Sequence, residues 1–252
     1  MNTLVCIKRV PETGAKIVLT DDQQSIDTSS LGFTISPHEE CAIEEAVQAA
    51  EETGGTATVL TLGPSDAAEQ LRTGIAMDAD EAIHLETDGE EWGPRATATA
   101  IADGIESTDN SFDLLFFGSE SADQANHQVG VRVAHKLGFP VITGIKDVDI
   151  NGDTLVAERE ISGGSELYEL PMPAVLTVKE GLNSPRYPSM RSKMQARRAE
   201  VAASEPKRSD PNDVTMRTLE TPDRDDSPAE VLGESVDAAE DVVAVLEDLE
   251  VI

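Results

Sequence analysis

The chain has 252 residues, of which 49 are acidic and 19 are basic, so its formal net charge is −30. Charge of this sign disfavours nucleic acid and anionic membrane surfaces as partners. It also destabilises a compact state by self-repulsion unless salt screens it, so the composition predicts a protein from a salt-rich cytoplasm.

The cysteine content and the apolar runs exclude several further classes. Two cysteines, Cys6 and Cys41, are too few for a disulfide framework, and no His, Cys and Asp residues have the spacing of a metal cluster. The N-terminal apolar run is too short for a signal peptide, and no stretch approaches the ~20 apolar residues of a membrane span. We therefore expect a cytoplasmic protein with no metal and no membrane insertion.

Strands and helices alternate through the first 145 residues. Short apolar runs predict buried strands at residues 3–10, 56–62, 82–85 and 112–117 and from 141 onward. A capping box, Ser36-Pro37-His38-Glu39, begins the first helix, which ends at Gly54, and Ser65 is expected to cap the second. Helical spacing predicts two more helices, at 96–105 and 124–137.

This alternation predicts a doubly wound α/β fold with a mainly parallel sheet, of the Rossmann-like, adenine-nucleotide-binding type. Residues 148–156 are expected to form a hairpin that turns at 151–153, and residues 173–178 the last core strand. The α/β domain thus spans residues 1–200.

The composition of residues 201–252 predicts a C-terminal arm. The arm is acidic and rich in proline, and it ends in an amphipathic helix at 235–249. This helix packs on another subunit or on its own domain, and the length of the arm favours another subunit.

Three segments follow strand ends, where open α/β sheets bind ligands. They are residues 8–11, residues 63–65 and residues 118–123, and the last leads into a helix start at 124–130. Small residues at a helix start suit a phosphate group. No Gly-x-Gly-x-x-Gly occurs in the chain, so the pattern alone is only a weak nucleotide signal.

No residue stands out as catalytic. His38, His84 and His127 are isolated, and such residues are more often hydrogen-bonding side chains than ligands or bases. No Ser or Cys is placed beside them as a nucleophile. Cys6 and Cys41 are expected to be small core residues.

The sharpest anomaly is that residues 181–199 contain no Asp or Glu. This acid-free segment holds five cations: Arg186, Arg191, Lys193, Arg197 and Arg198. Nucleic acid is a poor candidate partner because Tyr187 is the segment's one aromatic residue, which leaves little stacking surface. An acidic protein partner is favoured.

Several segments together resemble the β subunits of electron-transfer flavoproteins. They are residues 5–11 (Val-Cys-Ile-Lys-Arg-Val-Pro), 36–46 (Ser-Pro-His-Glu-Glu-Cys-Ala-Ile-Glu-Glu-Ala), 63–64 with 72–80 (Gly-Pro, then Arg-Thr-Gly-Ile-Ala-Met-Asp-Ala-Asp), the loop 118–130, and 173–175 with 182–190 (Pro-Ala-Val, then Leu-Asn-Ser-Pro-Arg-Tyr-Pro-Ser-Met). The matches run in register from residue 3 to about residue 200. After residue 200 the segments no longer match in register, and only the general character of the tail is similar.

The resemblance implies a heterodimer in which an α subunit holds most of an FAD at the interface. The β chain's own pocket then takes AMP, or a second FAD in electron-bifurcating members. The pocket residues carried over are Cys6, Ser36, Pro37, His38, Glu39, Leu62, Gly118, Asp123, Asn126, His127, Gln128, Val129, Gly130 and Ala134. Lys8 and Arg9 belong to a segment, 8–13, that approaches the flavin, although Thr13 stands where some relatives have an aromatic residue. Gln128-Val129-Gly130 also occurs in bifurcating members, so both nucleotides stay open, with AMP favoured.

The resemblance also gives the acid-free segment a role. Met190 falls at the apolar anchor that inserts into a dehydrogenase partner, with Arg186, Tyr187, Arg191 and Lys193 around it. The implied function is an electron carrier of fatty acid oxidation, without catalytic residues of its own. It would pass electrons from flavin dehydrogenases, such as acyl-CoA dehydrogenases, to a quinone reductase. The alternatives are a stand-alone nucleotide-binding module of the stress-protein type, a bifurcating β subunit, and a hydrolase or ligase, for which a nucleophile is missing.

Overall fold

The computed structural model describes residues 1–208, 217–222 and 231–251. The chain divides into two compact units, Met1–Arg217 and Thr218–Ile252.

The first unit is built on one mixed sheet. In the described residues its strands follow the order β11-β5-β4-β1-β6-β10-β7-β8-β9. The parallel strands are β1 (Thr3–Cys6), β4 (Ala57–Gly63), β5 (Glu81–Glu86), β6 (Leu114–Gly118), β7 (Val141–Asn151), β10 (Ala174–Val178) and β11 (Ala202–Ser204). β8 (Thr154–Ile161) and β9 (Gly164–Pro171) extend the sheet in antiparallel fashion. The predicted doubly wound α/β class is confirmed.

Helices cover both faces of the parallel part. One face carries α1 (Pro37–Thr53) and α2 (Ala68–Ala76), and the other carries α3 (Pro94–Glu106) and α4 (Val129–Leu137). Strands covered on both faces must be apolar throughout, which is why β1, β6 and β10 read as continuous apolar runs. Leu4, Leu115 and Phe116 are fully buried among them, and each such side chain contributes about 1.5–3 kcal/mol of burial.

The winding reverses beside β1. From β1 the chain moves outward through β4 to β5, and it then returns to place β6 on the opposite side of β1. The connections on the two sides leave a crevice above the carboxyl ends of β1, β4 and β6. The fold thus fixes where a ligand can enter.

Three local predictions need correction. The predicted strand 3–10 ends at Cys6, because the chain leaves the sheet there and Val10–Pro11 (β2) pairs instead with Phe33–Thr34 (β3). Ser65 caps nothing with its side chain, since a 3₁₀ turn beginning at Ser65 precedes α2. The helix predicted from 124 begins only at Val129, because Ala125 and His127 have φ of 46° and 52°, which a right-handed helix excludes.

Other predicted elements are confirmed. Ser36 and Glu39 form the capping box of α1, and Gly54 ends that helix in a left-handed conformation. The hairpin joins β7 to β8 through Gly152 and Asp153. Both Cys6 and Cys41 are buried free thiols.

The acid-free segment leads into α5 (Met190–Ala196), which packs on α2. β11 follows on the sheet edge beside β5, with all three residues exposed.

The second unit contains the predicted C-terminal helix, described as α6 (Ala239–Asp248) after a short 3₁₀ turn. The Ser235 side chain accepts a hydrogen bond from the Asp237 N–H at the start of that turn. Val242, Val243, Val245 and Leu249 on and after α6 are exposed. No helix in the described parts of the chain combines the length and apolar character that a membrane span requires.

Candidate functional site

The crevice above β1, β4 and β6 holds a cavity of about 580 Å³. This volume lies within the range of small-molecule sites. The sequence-predicted residues on its wall are Cys6, Lys8, Arg9, Glu39, Leu62, Gly118, Asp123, Asn126, His127, Gln128, Val129 and Gly130. Four others do not line it: Ser36, Pro37, His38 and Ala134.

Three of those four residues support the wall from behind, and Pro37 is the first residue of α1. Ser36 is buried in the cap of α1, and its hydroxyl accepts from the Glu39 N–H at 3.3 Å. His38 accepts from the Glu180 N–H through Nδ1 at 2.7 Å. Ala134 is fully buried in the core beneath α4.

One wall is the loop between β6 and α4. Its left-handed residues, Ala125 and His127, turn the chain so that α4 begins at Val129 on the cavity. Gly130 packs so closely that a Cβ there would lie 3.0 Å from Phe117 Cγ and from Thr177 Cγ2. The first N–H groups of a helix have no partner within it, so this end of α4 can bind an anion.

Lys8 crosses the opening of the crevice. Its Nζ lies 2.6 Å from Asp123 Oδ2 and 3.5 Å from Glu91 Oε1. Burial raises the pKa of Asp123, but the Lys8 ammonium outweighs that effect and holds the pKa below its usual value. Lys8 therefore joins the loop after β6 to the segment before α3.

Glu39 lies at the base of the cavity. Its carboxylate accepts from the backbone N–H of Lys8 at 2.8 Å and of Ser36 at 3.0 Å. Burial raises the pKa of Glu39 to about 8, and those two hydrogen bonds offset the increase only in part. Burial, with the Glu39 charge beside it, also raises the pKa of the Cys6 thiol, so this cysteine is not a nucleophile at neutral pH.

His38, His84 and His127 have ordinary hydrogen-bonding roles. His127 Nε2 lies 2.8 Å from Glu120 Oε2, and His38 Nε2 lies 3.7 Å from Glu120 Oε1. His84 is buried, with Nε2 3.1 Å from the Gly63 carbonyl oxygen. Within the described ranges no group of three His, Cys, Asp or Glu side chains could hold a metal ion.

Sequence reasoning missed the segment before α3. Trp92, the chain's one tryptophan, lines the cavity and packs on Ala96 and Ala100. Glu91 accepts from Gln124 Nε2 at 2.6 Å, and Arg208 lies over the Trp92 ring at 5.4 Å. Only 3% of the residues are aromatic, so the lone Trp beside a Gly-Pro pair is the feature of the sequence that could have indicated this part of the site.

Phe33 was also missed. It lies on β3 and lines the cavity, and the Arg9 guanidinium stacks on its ring at 3.3 Å from the centroid. Nothing in the local sequence of β3 places it beside Arg9, because the pairing of β2 with β3 spans more than twenty residues of loop.

The crevice fits the adenine nucleotide that the resemblance implies. Gly130 lets α4 pack closely on β6 and β10, and the start of α4 suits a phosphate. Phe33 and Trp92 supply aromatic surface. Two acidic groups on the wall, Asp123 and Glu91, pair with Lys8, which lowers their repulsion of an anion.

The acid-free segment forms a second candidate site, on α5 and the residues before it. Tyr187, Met190 and Met194 are 88, 75 and 55% exposed. Lys193 Nζ lies 4.3 Å from the centroid of the Tyr187 ring. Arg191, also predicted to dock a partner, is exposed.

Arg186, predicted as a docking residue, has partners within the chain. Its guanidinium bonds to Glu44 and Glu51 of α1 and to Asp78 after α2. Burial raises the pKa of Glu44, but the hydrogen bonds from Arg186 outweigh it, so the pKa lies below its usual value. The hydrogen bonds that Arg186 donates to Glu51 and Glu44 in turn raise the pKa of Arg186.

Comparison with known proteins gives consistent matches. The model of the electron transfer flavoprotein domain matches residues 24–209. The chain is 36% identical over 200 residues to a protein named electron transfer flavoprotein subunit beta from Bacillus subtilis (strain 168), covering 79% of this chain and 76% of the relative. It is 32% identical over 253 residues to a protein of the same name from Homo sapiens, covering 99% of this chain and 98% of the relative.

Proposed function

Since this chain belongs to the electron transfer flavoprotein family and is similar along nearly its whole length to β subunits, we propose that it pairs with an α subunit to carry electrons as one FAD-containing complex. The bound flavin supplies the redox chemistry. This chain positions the flavin, shields one side of it and supplies the surfaces that partners recognise.

The observation that carries the proposal is the crevice at the winding reversal. Its wall brings together Cys6, Lys8, Glu39 and the loop 118–130, all of which the sequence predicts as site residues. We propose that an adenine nucleotide binds there. Its phosphate would lie at the start of α4, beside the first backbone N–H groups of that helix. AMP is favoured over a second FAD, whose presence would favour the electron-bifurcating alternative.

Lys8 and Arg9 have a supporting role in this proposal. They leave the end of β1 toward the opening, where the α subunit would bring its flavin. Lys8 is held there by Asp123 and Arg9 by Phe33. Fixed cations near a flavin favour its reduced, more negatively charged states by electrostatics.

The experiment is co-expression of this chain with the α subunit of the same organism, followed by purification at high salt. We expect a yellow heterodimer, and acid extraction followed by chromatography should release FAD and AMP in equal amounts. FAD alone, at twice the heterodimer concentration, would favour the bifurcating alternative. A colourless single chain that binds ATP would instead support the stress-protein alternative.

We further propose that α5 docks flavin dehydrogenases such as acyl-CoA dehydrogenases, and that the electrons continue to a quinone reductase. Met190 offers a flexible, exposed apolar side chain, and Arg191 and Lys193 follow it in the same helix. In a salt-rich cytoplasm such short-range apolar contact is less sensitive to screening than charge pairing.

Met190→Glu tests the docking role. We expect kcat/KM for electron acceptance from a reduced acyl-CoA dehydrogenase to fall about tenfold or more, because docking would then bury a charge in place of an apolar side chain. Flavin content should not change. Leu167→Glu, at a side chain 70% exposed on β9, is the matched control. Equal kinetics for both variants and the parent complex would exclude docking through Met190.

A further inference from the structure

Arg186 lies four residues before α5 and holds the segment that leads into it. Its backbone N–H donates to Glu44 Oε2 at 2.8 Å, and its Nε donates to the same oxygen at 2.9 Å. Nη1 reaches Glu51 Oε1 at 3.0 Å and Asp78 Oδ2 at 3.1 Å. Nη2 bonds to Glu44 at 3.3 Å and to Glu51 at 3.2 Å. We call these four residues the Arg186 clamp.

The clamp ties three parts of the fold together. Glu44 and Glu51 are seven residues apart on α1, so they lie two turns apart on one face of that helix. Asp78 follows α2, with a left-handed φ of 72°. The single guanidinium therefore joins α1, the turn after α2 and the segment that begins α5.

A second contact supports the same segment. Asn183 Nδ2 donates to the Cys41 carbonyl oxygen and to Glu45 Oε2, both at 3.0 Å. Like the clamp, this contact attaches the segment to α1.

The docking helix depends on these attachments. α5 has only seven residues, and an isolated helix of this length is not stable in water. Its apolar side chains Met190 and Met194 face outward, and Ala196 is its one buried residue. Its position is therefore imposed by α2 on one side and by the attached segment on the other.

Arginine suits this position better than lysine. A guanidinium has five N–H donors in a fixed plane, and here Nε, Nη1 and Nη2 all bond to carboxylates. A lysine ammonium keeps the charge, but as a point charge it cannot span Glu44, Glu51 and Asp78 in one geometry.

We propose that Arg186 is a positioning residue: through the clamp it fixes where Met190 is presented to a dehydrogenase, without itself touching that partner. The inference rests on the proposed docking role of α5. It differs from direct recognition by a surface cation, because the Arg186 side chain is only 25% exposed and its donors point inward.

The test uses the flavin-loaded heterodimer and an acyl-CoA dehydrogenase from the same organism, reduced by its acyl-CoA substrate. Four complexes are compared: the parent, Arg186→Lys, Met190→Ala and the double variant. For Arg186→Lys we expect KM for the carrier to rise about tenfold with kcat within about twofold, because orientation is lost and chemistry is not. Reduction by dithionite and FAD content should match the parent. Arg159→Lys is the matched control, since Arg159 also bonds to a carboxylate, that of Glu166, but lies on β8 at the far end of the sheet.

The double variant separates positioning from contact. If Arg186 acts through Met190, adding Arg186→Lys to Met190→Ala should change KM by less than about twofold. Additive effects would mean direct contact with the dehydrogenase and would overturn the inference. A raised KM for Met190→Ala together with an unchanged KM for Arg186→Lys would also overturn the inference. That result would leave the proposed docking through α5 intact. An unchanged KM for Met190→Ala would instead overturn the docking proposal, and the inference with it.

A milder variant covers the case in which Arg186→Lys does not fold. Glu51→Gln with Asp78→Asn removes the two exposed carboxylates and leaves the pair of Arg186 with buried Glu44. We expect KM to rise about threefold with an unchanged melting temperature, because such exposed pairs contribute little to stability. An unchanged KM in this folded complex would also overturn the inference.

Discussion

Two buried glutamates of α1 face two different regions of the molecule. Glu39 lies in the first turn, beneath the crevice, and Glu44 lies five residues later, beneath the acid-free segment. Both are 5% exposed or less. Burial raises the pKa of Glu39 to about 8, whereas for Glu44 the bonds from Arg186 outweigh burial and lower the pKa. The difference shows what a cation partner adds: the Arg186 bonds outweigh burial at Glu44, whereas the backbone N–H bonds of Glu39 offset burial only in part.

The comparison has a consequence for each region. The crevice holds a carboxyl group that accepts two backbone N–H bonds and whose pKa is raised by burial. The region under α5 holds a charged carboxylate that requires a cation. The two halves of one helix are therefore stabilised by different chemistry.

At a single pH, the largest expected effect on stability is from Arg186→Ala. Removing the guanidinium leaves Glu44 buried with no cation, which should lower the free energy of unfolding by about 3 kcal/mol. Urea denaturation of the heterodimer at fixed concentration and high salt measures it. Arg191→Ala, at an exposed residue of the same segment, should change it by less than about 0.5 kcal/mol. Similar losses of unfolding free energy for the two variants would show that Glu44 does not depend on its pairing with Arg186.

Glu39→Gln should remove a pH dependence of the free energy of unfolding. The pKa of Glu39 is raised from 4.5 to about 8, so between these values the folded state holds a proton that the unfolded state has lost. The stability contributed by this proton is complete below about pH 4.5 and is lost as pH rises toward 8. Relative to Glu39→Gln, the parent should lose about 1.4 kcal/mol per pH unit between pH 5 and 8.

Denaturation at several pH values checks this slope. Glu52→Gln, at an exposed residue of the same helix, serves as the control and should keep the parent's slope. A parallel pH profile for Glu39→Gln and the parent would show that Glu39 is ionised in the folded protein.

The smallest expected effect compares two helix caps. Ser36→Ala removes the hydroxyl that caps α1, a long buried helix, and should cost about 1 kcal/mol of global stability. Ser189→Ala removes the cap of α5, whose Ser192 N–H bond measures 3.0 Å. Because α5 is short and exposed, its loss should appear as faster local amide exchange with little global effect. Equal global costs would show that α5 unfolds together with the body.

Local signals made much of the fold predictable. The Ser36–Glu39 box and Gly54 bounded α1, and apolar runs located the parallel strands other than β11 and their alternation with helices. The wall of the crevice followed from strand ends and from the family resemblance. These features depend on neighbouring residues, which a single sequence displays directly.

What could not be predicted depends on contacts between distant residues. The left-handed conformations of Ala125 and His127 shorten α4, and neither residue is a glycine that would signal them. The partners of Arg186 lie 108, 135 and 142 positions away, so the sequence showed a cation and not its acceptors. Likewise, Arg208 reaches Trp92 only in the folded chain.

The place of β10 in the sheet also bears on how the chain is made. This strand is synthesised after β7, yet it lies between β6 and β7 and pairs with both. Thr177 on β10 lines the crevice, so the wall is complete only once this late strand has been inserted. A growing chain on the ribosome therefore cannot assemble the pocket until residue 178 has emerged, and capture of a nucleotide would mark the end of folding rather than guide its beginning.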